Sequence, residues 1–225
     1  MSEENKKTLQ VYQKKAKTYI INNIEHDKLE PIKSKKKREK LEKLIKDSFA
    51  SLPKNSKLFE IGSADGVNAK FMDSLGYNVT ASDIADGFLD EIKKQNIRVI
   101  KFNALEDNFT TKYNGIFCWR VFVHFTKEDA IRVIEKVYEA LEENGVFVFN
   151  AINREIKKTN NEWVDFDGEY HLGAERFYNY FTEIELNNII NSTKFKIEKF
   201  YKEGGENENK WLVYVLRKGG AFKWD

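Results

Sequence analysis

The run Leu58-Phe59-Glu60-Ile61-Gly62-Ser63-Ala64-Asp65-Gly66 has the composition of a strand that breaks into a small-residue turn before a helix. Glycines at 62 and 66 permit positive φ and let a ligand approach the main chain closely. The carboxyl end of such a strand is where doubly wound sheets bind ligands. Downstream, Val79-Thr80-Ala81-Ser82-Asp83 ends in a carboxylate that can accept both hydroxyls of an adenosine ribose. A helix N-cap is the alternative, since Asp86 and Asp90 stand close by; the Gly62/Gly66 turn favours the ribose. A dinucleotide fold would want glycines at 62, 64 and 67, and Gly62, Ala64 and Val67 match that poorly. The three histidines, His26, His124 and His171, are widely spaced and no Cys/His cluster has ligand spacing, so no metal site is expected.

The elements that must position these residues alternate. Candidate strands are 57–61, 77–82, 97–102, 115–120 and 145–151, with apolar runs suited to burial on both faces. The clearest helix between them is 127–143, with Ile131, Ile134, Val137, Tyr138 and Leu141 on one side and Asn144-Gly145 closing it. Short strands separated by helices argue for a parallel sheet with right-handed crossovers. Residues 1–50 read as two amphipathic helices, one centred on Tyr12, Ala16, Tyr19 and Ile20 and one over 34–50, parted by Pro31. Residues 152–181 are polar and aromatic with no clean period; a helix follows at 183–191. Residues 195–201 and 211–217 alternate as a terminal antiparallel hairpin at a sheet edge.

Composition bounds the class. A 225-residue chain that is 41% hydrophobic can bury one large core, and two prolines exclude a fibrous or proline-rich chain. No apolar run reaches the ~18 residues of a membrane span, and the charged start lacks a secretory signal. A lone Cys118 cannot form an internal disulfide, which fits a reducing compartment and a cytoplasmic location. Net charge is only +2, yet residues 1–47 hold 14 Lys/Arg against 8 Asp/Glu, densest at Lys33, Lys35, Lys36, Lys37 and Arg38. Leu41, Leu44, Ile45 and Phe49 form an apolar stripe through this region, which favours a solvated helix face over a phosphate-binding patch.

The segment Glu60-Ile61-Gly62-Ser63-Ala64-Asp65-Gly66 resembles the first motif, acid-x-Gly-x-Gly-x-Gly, of the Rossmann-like (class I) S-adenosylmethionine-dependent methyltransferases, with Ala64 in place of the middle glycine. Asp83 falls where that family places its ribose-binding acid. Phe102-Asn103-Ala104-Leu105 is similar to the segment that brackets adenine, with Asn103 where an aspartate often stands. Residues 115–125 resemble the fourth strand and its turn, and 139–145 resemble the helix end leading into strand five; the likeness covers roughly 56–151. It implies an α/β three-layer sandwich with a seven-stranded, mostly parallel sheet, an antiparallel C-terminal strand and added N-terminal helices. The implied organisation is a helical segment at 1–50, a methyltransferase domain at 51–218 with an acceptor-site insert near 152–181, and a tail at 219–225. It also implies that Glu60 and Gly62, with Ala64 and Gly66 in the same turn, face the methionine part of S-adenosylmethionine. Ile84 would flank adenine, Asn103, Ala104 and Leu105 would meet the adenine edge, and Cys118 to Arg120 would lie near the cofactor's amino group.

His124, just after the fourth strand, stands where a general base for methyl transfer would be needed; ordering its loop or lining the pocket is the alternative role. In the insert, Trp163, Tyr170, His171, Arg176, Tyr178 and Tyr180 supply aromatic walls and polar tips, and His171 with Arg176 could hold a phosphate or carboxylate. Tyr12-x-x-x-Ala16-x-x-Tyr19 is similar to the lid helix of small-molecule members, with Tyr19 over the cofactor and Tyr12 toward substrate. The expectation is methyl transfer, yielding S-adenosylhomocysteine, to an oxygen or nitrogen of a small anionic metabolite, phosphorylated or nucleotide-linked, such as a surface-polysaccharide precursor. Neither nucleic acid nor membrane is the expected partner. The alternatives are an RNA methyltransferase acting through the basic N-terminus, a nicotinamide-dependent oxidoreductase, disfavoured by the glycine spacing, and a non-catalytic cofactor-binding subunit.

Overall fold

A computed structural model describes residues 1–157, 159–166, 171–204 and 210–219. Strands β1 (Lys57–Ile61), β2 (Asn78–Asp83), β3 (Arg98–Lys101), β4 (Tyr113–Cys118) and β5 (Leu141–Asn153) alternate with helices α3 (Val67–Ser74), α4 (Asp86–Lys93) and α5 (Lys127–Ala140). They run parallel in the order β3-β2-β1-β4-β5. β9 (Trp211–Lys218) adds antiparallel to β5 from Val146 to Ile152, and β8 (Phe195–Glu203) closes the edge antiparallel to β9. This seven-stranded sheet with one antiparallel strand is the expected architecture, and helix α6 (Glu183–Asn191) leads into its last hairpin. β1, β4 and β5 are buried almost throughout because helices cover both faces, so their sequences read as apolar runs.

α5 stops at Ala140, three residues short of the sequence expectation. Leu141 turns extended and pairs with Tyr113, so strand pairing overrides the helical propensity of Glu142 and Glu143.

The stretch 152–181 contains a hairpin that its sequence does not announce, β6 (Asn161–Val164) with β7 (Arg176–Phe181). Ile152 and Asn153 of β5 pair in parallel with Tyr180 and Phe181 of β7. β9 already occupies the other edge of β5 up to Ile152, so β7 takes the edge that β4 vacates beyond Cys118. The hairpin therefore stands over the carboxyl ends of β4 and β1. Five of the six β7 residues are buried, which erases the two-residue alternation that would have marked a strand.

α1 (Glu3–Leu29) and α2 (Pro31–Phe49) form a helical hairpin with its elbow at Glu30. Pro31 is the first residue of α2, where its missing N–H costs nothing. α2 anchors through Ile45 and Phe49, both fully buried against the β1 side of the sheet. α1 lies across the carboxyl ends of the strands. Thr8 Oγ1 accepts from Phe177 N at 3.0 Å, and Asn5 Nδ2 donates to the buried Asp129 carboxylate at 2.6 Å. Midway, Ala16 meets Gly87 of α4 so closely that a Cβ on Gly87 would lie 2.9 Å from the Ala16 methyl.

Candidate active site

The turn between β1 and α3 places Gly62, Ala64 and Gly66 at φ of 72°, 46° and 79°. Alternate left-handed residues fold the chain tightly, and Ala64 holds a conformation that L-residues resist. A Cβ on Gly62 would overlap Val121 Cγ2, so the loop after β4 closes on the turn only because position 62 has no side chain. Ser63 fixes the turn to β2, its N–H donating to Ser82 O at 2.8 Å and its Oγ accepting from Ser82 N at 3.1 Å. Beneath it sits Glu60, 1% exposed. Asn68 Nδ2 donates to Glu60 Oε1 at 3.2 Å, whereas Oε2 is buried with no hydrogen-bond partner. Burial pushes the Glu60 carboxyl up to about 7, well above its ordinary range, against the lowering effect of its hydrogen bonds.

Asp83 ends β2 beside this turn. Its Oδ1 accepts from the N–H groups of Ile84 and Ala85 at 2.8 and 3.1 Å, and its Oδ2 from Ala64 N at 3.0 Å. The carboxylate thus ties the two strand ends together and still lines the cavity. Burial raises its pKa while the three backbone donors oppose the rise. After β3, Asn103 Oδ1 accepts from Leu105 N at 3.0 Å, and Asn103 N donates to Asp107 Oδ2 at 2.7 Å. These bonds hold Ala104 and Leu105 at the cavity wall.

The roof comes from α1. Tyr12, Ala16, Tyr19 and Ile20 share one helix face and pack with Ala64, Ala85 and Phe88. Tyr19 meets Phe88 edge-to-face with ring centres 5.5 Å apart, and burial lifts its hydroxyl pKa to about 12. Tyr12 reaches the 3-10 turn Phe122–His124, where its Oη lies 2.9 Å from His124 Nε2. His124 Nδ1 lies 2.7 Å from the Phe177 carbonyl. A carbonyl only accepts, so Nδ1 carries the proton. Burial pulls the imidazole down to about 4 and keeps it neutral, which makes Nε2 an acceptor and Tyr12 the donor. Tyr12 Oη in turn accepts from Arg176 Nη1 at 3.4 Å.

Together these elements enclose a cavity of about 450 Å³. It is lined by Tyr12, Tyr19, Gly62, Ala64, Asp83, Ile84, Asn103, Ala104, Leu105, Arg120 and His124 among the residues the sequence singled out. Glu60 and Gly66 shape the turn from behind rather than line the space. Tyr178 packs its ring 4.7 Å from that of His124, outside the lining. Arg176 is fully buried, with Nη2 3.4 Å from Asp165 Oδ1, and the exposed His171 pairs with the same carboxylate at 3.1 Å. The two side chains expected to hold an acceptor's anion therefore converge on Asp165, off the cavity. Tyr170 lies outside the described residues. The sequence pattern does not mark Asn5, Thr8, Phe88 and Val121, which also line the space. The Tyr12-x-x-x-Ala16-x-x-Tyr19 pattern signalled a helix over the cavity, and the close fit of Ala16 to Gly87 seats it there. Among the described residues no group of three or more His, Cys, Asp or Glu could hold a metal, and no helix is long and apolar enough to cross a membrane.

Comparison with known proteins places this geometry. A family model described as a methyltransferase domain matches residues 34–199. The fold is similar to an S-adenosylmethionine-dependent methyltransferase from Methanosarcina mazei (TM-score 0.63, 16% identity, covering 74% of this chain and 94% of that one). It is also similar to magnesium protoporphyrin IX methyltransferase from Synechocystis with bound S-adenosylmethionine (0.61, 12%, 80% and 79%). A glycopeptide N-methyltransferase complexed with sinefungin aligns comparably (0.62, 10%, 80% and 85%). A search of curated proteins finds no significant sequence match. With the matched family model spanning most of its length and the turn, sheet order and antiparallel strand all in place, the chain belongs to the methyltransferase domain family and has the Rossmann-like fold of the S-adenosylmethionine-dependent methyltransferases.

Proposed function

We propose that the protein transfers the methyl group of S-adenosylmethionine to an oxygen or nitrogen of a small molecule. The observation that carries this reading is the pairing of the glycine turn with Asp83 at adjacent strand ends, under a helix that roofs both. The residues suit the cofactor. Behind the turn Glu60 has a buried carboxylate oxygen without a partner, and the Gly62 main chain lines the cavity where a cationic amino acid moiety would lie. Asp83 would hold the ribose, Ile84 and the 103–105 segment the adenine, and Tyr19 would cover the cofactor from above. When bound, S-adenosylmethionine supplies a sulfonium methyl that a nucleophile displaces in line.

The chain's own groups align the acceptor, exclude water and take its proton. His124 acts here through Tyr12. Its Nε2 is capped by the tyrosine hydroxyl, so Tyr12 Oη presents a lone pair while its own proton can pass to Nε2. Arg176, packed over Tyr12 and Tyr178, opposes charge on the imidazole, which suits a transient rather than a resting imidazolium. An anionic acceptor would meet the cations that line the cavity, Lys37, Arg38, Lys40 and Arg120. Arg38 and Lys40 also pair with Asp27 and Glu203 at the rim.

Titrating S-adenosylmethionine and, separately, NADH against the purified protein tests this. Binding of the former alone is expected; binding of NADH alone overturns the reading. Asp83→Ala should weaken the cofactor by tenfold or more, given about 1.5–3 kcal/mol per hydrogen bond to a charged group. Unchanged calorimetric affinity would remove Asp83 from the cofactor site.

A further inference from the structure

Residues 21–40 form the largely exposed elbow of the α1–α2 hairpin. Beyond Asn23 almost every side chain of the α1–α2 elbow is exposed, with His26 and Ser34 half-buried exceptions. Large apolar side chains stand among them: Leu29 is 81% exposed, Ile32 72%, Ile21 53% and Ile24 50%. Four of the eight exposed large hydrophobics found among the described residues fall between Ile21 and Ile32. Such an apolar concentration has a use only if something covers it.

The surrounding charge says what that is. Residues 31–40 carry six Lys/Arg and one acid. Lys35 and Lys36 follow Ile32 by three and four residues, which puts them on its helix face. These cations crowd the amino end of α2, where the helix dipole is also positive and no acid occupies the first turn. Within the fold Lys35, Arg38 and Lys40 pair with Glu39, Asp27 and Glu203, yet residues 24–40 hold seven Lys/Arg against four acids, an excess that an anionic surface would meet. A second copy of the chain would bring like charges together. A polynucleotide would satisfy the lysines but leave Leu29 and Ile32 in water. An anionic lipid surface satisfies both, taking the apolar tip into the headgroup boundary and pairing the lysines with phosphates.

We propose that the α1–α2 elbow docks the protein peripherally on an anionic membrane surface, with Leu29 and Ile32 inserted and the lysines of α2 on the headgroups. Asp27, Ser34, Lys37 and Arg38, from the same stretch, line the cavity, so docking turns the cavity mouth toward the lipid. This docking stands independently of the methyl-transfer reading.

The test is co-sedimentation of the full chain with phosphatidylcholine vesicles and with equal-parts phosphatidylcholine and phosphatidylglycerol vesicles, at low and high salt. Binding to the anionic vesicles alone is expected, weakened by salt. Leu29→Asp/Ile32→Asp should reduce it at least about tenfold, and so should Lys33→Glu/Lys36→Glu. Both pairs are exposed, so melting temperature and S-adenosylmethionine affinity should hold and serve as controls for folding and for the catalytic reading. The proposal fails if the wild type ignores anionic vesicles or if binding survives Leu29→Asp/Ile32→Asp. It fails equally if that variant abolishes self-association seen by sedimentation, or if a single-stranded oligonucleotide binds through the lysines while vesicles do not.

Discussion

Replacing Gly62 by alanine separates two physical effects that the turn combines. At φ of 72° an alanine carries the left-handed penalty of about 1–2 kcal/mol. Its methyl would also overlap Val121 Cγ2, and relieving such overpacking costs about 1–3 kcal/mol more. Gly62→Ala should therefore lose about 2–5 kcal/mol of stability in urea denaturation, with an unchanged slope if unfolding stays two-state. Val121 is only partly buried, so Val121→Ala alone should cost about 1 kcal/mol. In the double variant the overlap is gone and the backbone penalty stays, so the two costs should fall short of additivity by about 1–3 kcal/mol. Calorimetry on the double variant then reports whether the turn still accepts S-adenosylmethionine. Strict additivity would mean that the β4 loop does not close on the turn. A loss below about 0.5 kcal/mol in Gly62→Ala would mean that position 62 never needs positive φ.

The pH dependence of stability should carry two opposed signatures. His124 has a folded pKa of about 4, below its unfolded value, so its contribution is present above about 6.5 and lost as pH falls toward 4, on the order of 3 kcal/mol in all; denaturation of His124→Gln across that window should lack this decline. Glu60 runs the other way, its contribution present below 4.5 and lost as pH rises through about 7; Glu60→Gln should flatten the alkaline side and weaken S-adenosylmethionine binding. Tyr12→Phe leaves the buried Nε2 of His124 unpaired and should cost about 1–3 kcal/mol, with a matching change in the imidazole nitrogen resonances. Gly87→Val would drive a branched side chain into Ala16 and lift α1 from α4, which should raise the cofactor's dissociation constant more than it lowers the melting temperature.

Strands β1, β4 and β5 were legible because burial on both faces makes them short, largely apolar runs, and the glycine turn because only small residues tolerate its φ values. The terminal hairpin was read as alternating strands, although β9 is a continuous buried run. The β6–β7 pair was not read: β7 is buried on both faces, and its partner is only four residues long. Helix α1 was visible as a periodicity near Tyr12 and Ala16, yet its full length rests on contacts no local pattern encodes. The residues at the strand ends that line the cavity were implied by the resemblance to the methyltransferases. The Tyr12–His124 bond, which joins residues 112 apart in sequence, was not. Arg176 illustrates the limit most clearly, since an arginine in a polar, aromatic segment reads as surface and only tertiary packing reveals its burial against Asp165.

Helix α1 is synthesised before each of its anchors: Gly87, then His124 and Asp129, and last Phe177, 169 residues after its partner Thr8. A helix made early therefore docks only after much of the sheet has been made. Its sequence suits that wait, for a chain of lysines, asparagines and glutamates with few apolar residues stays in water as a nascent helix without seeking wrong partners. The rest of the domain assembles from neighbouring β–α units whose contacts are local and quick to close. A ribosome-bound chain that has exposed only its first 150 residues would thus hold a finished turn and a finished Asp83 beneath an absent ceiling. Completion of the pocket thus waits on the arrival of β7.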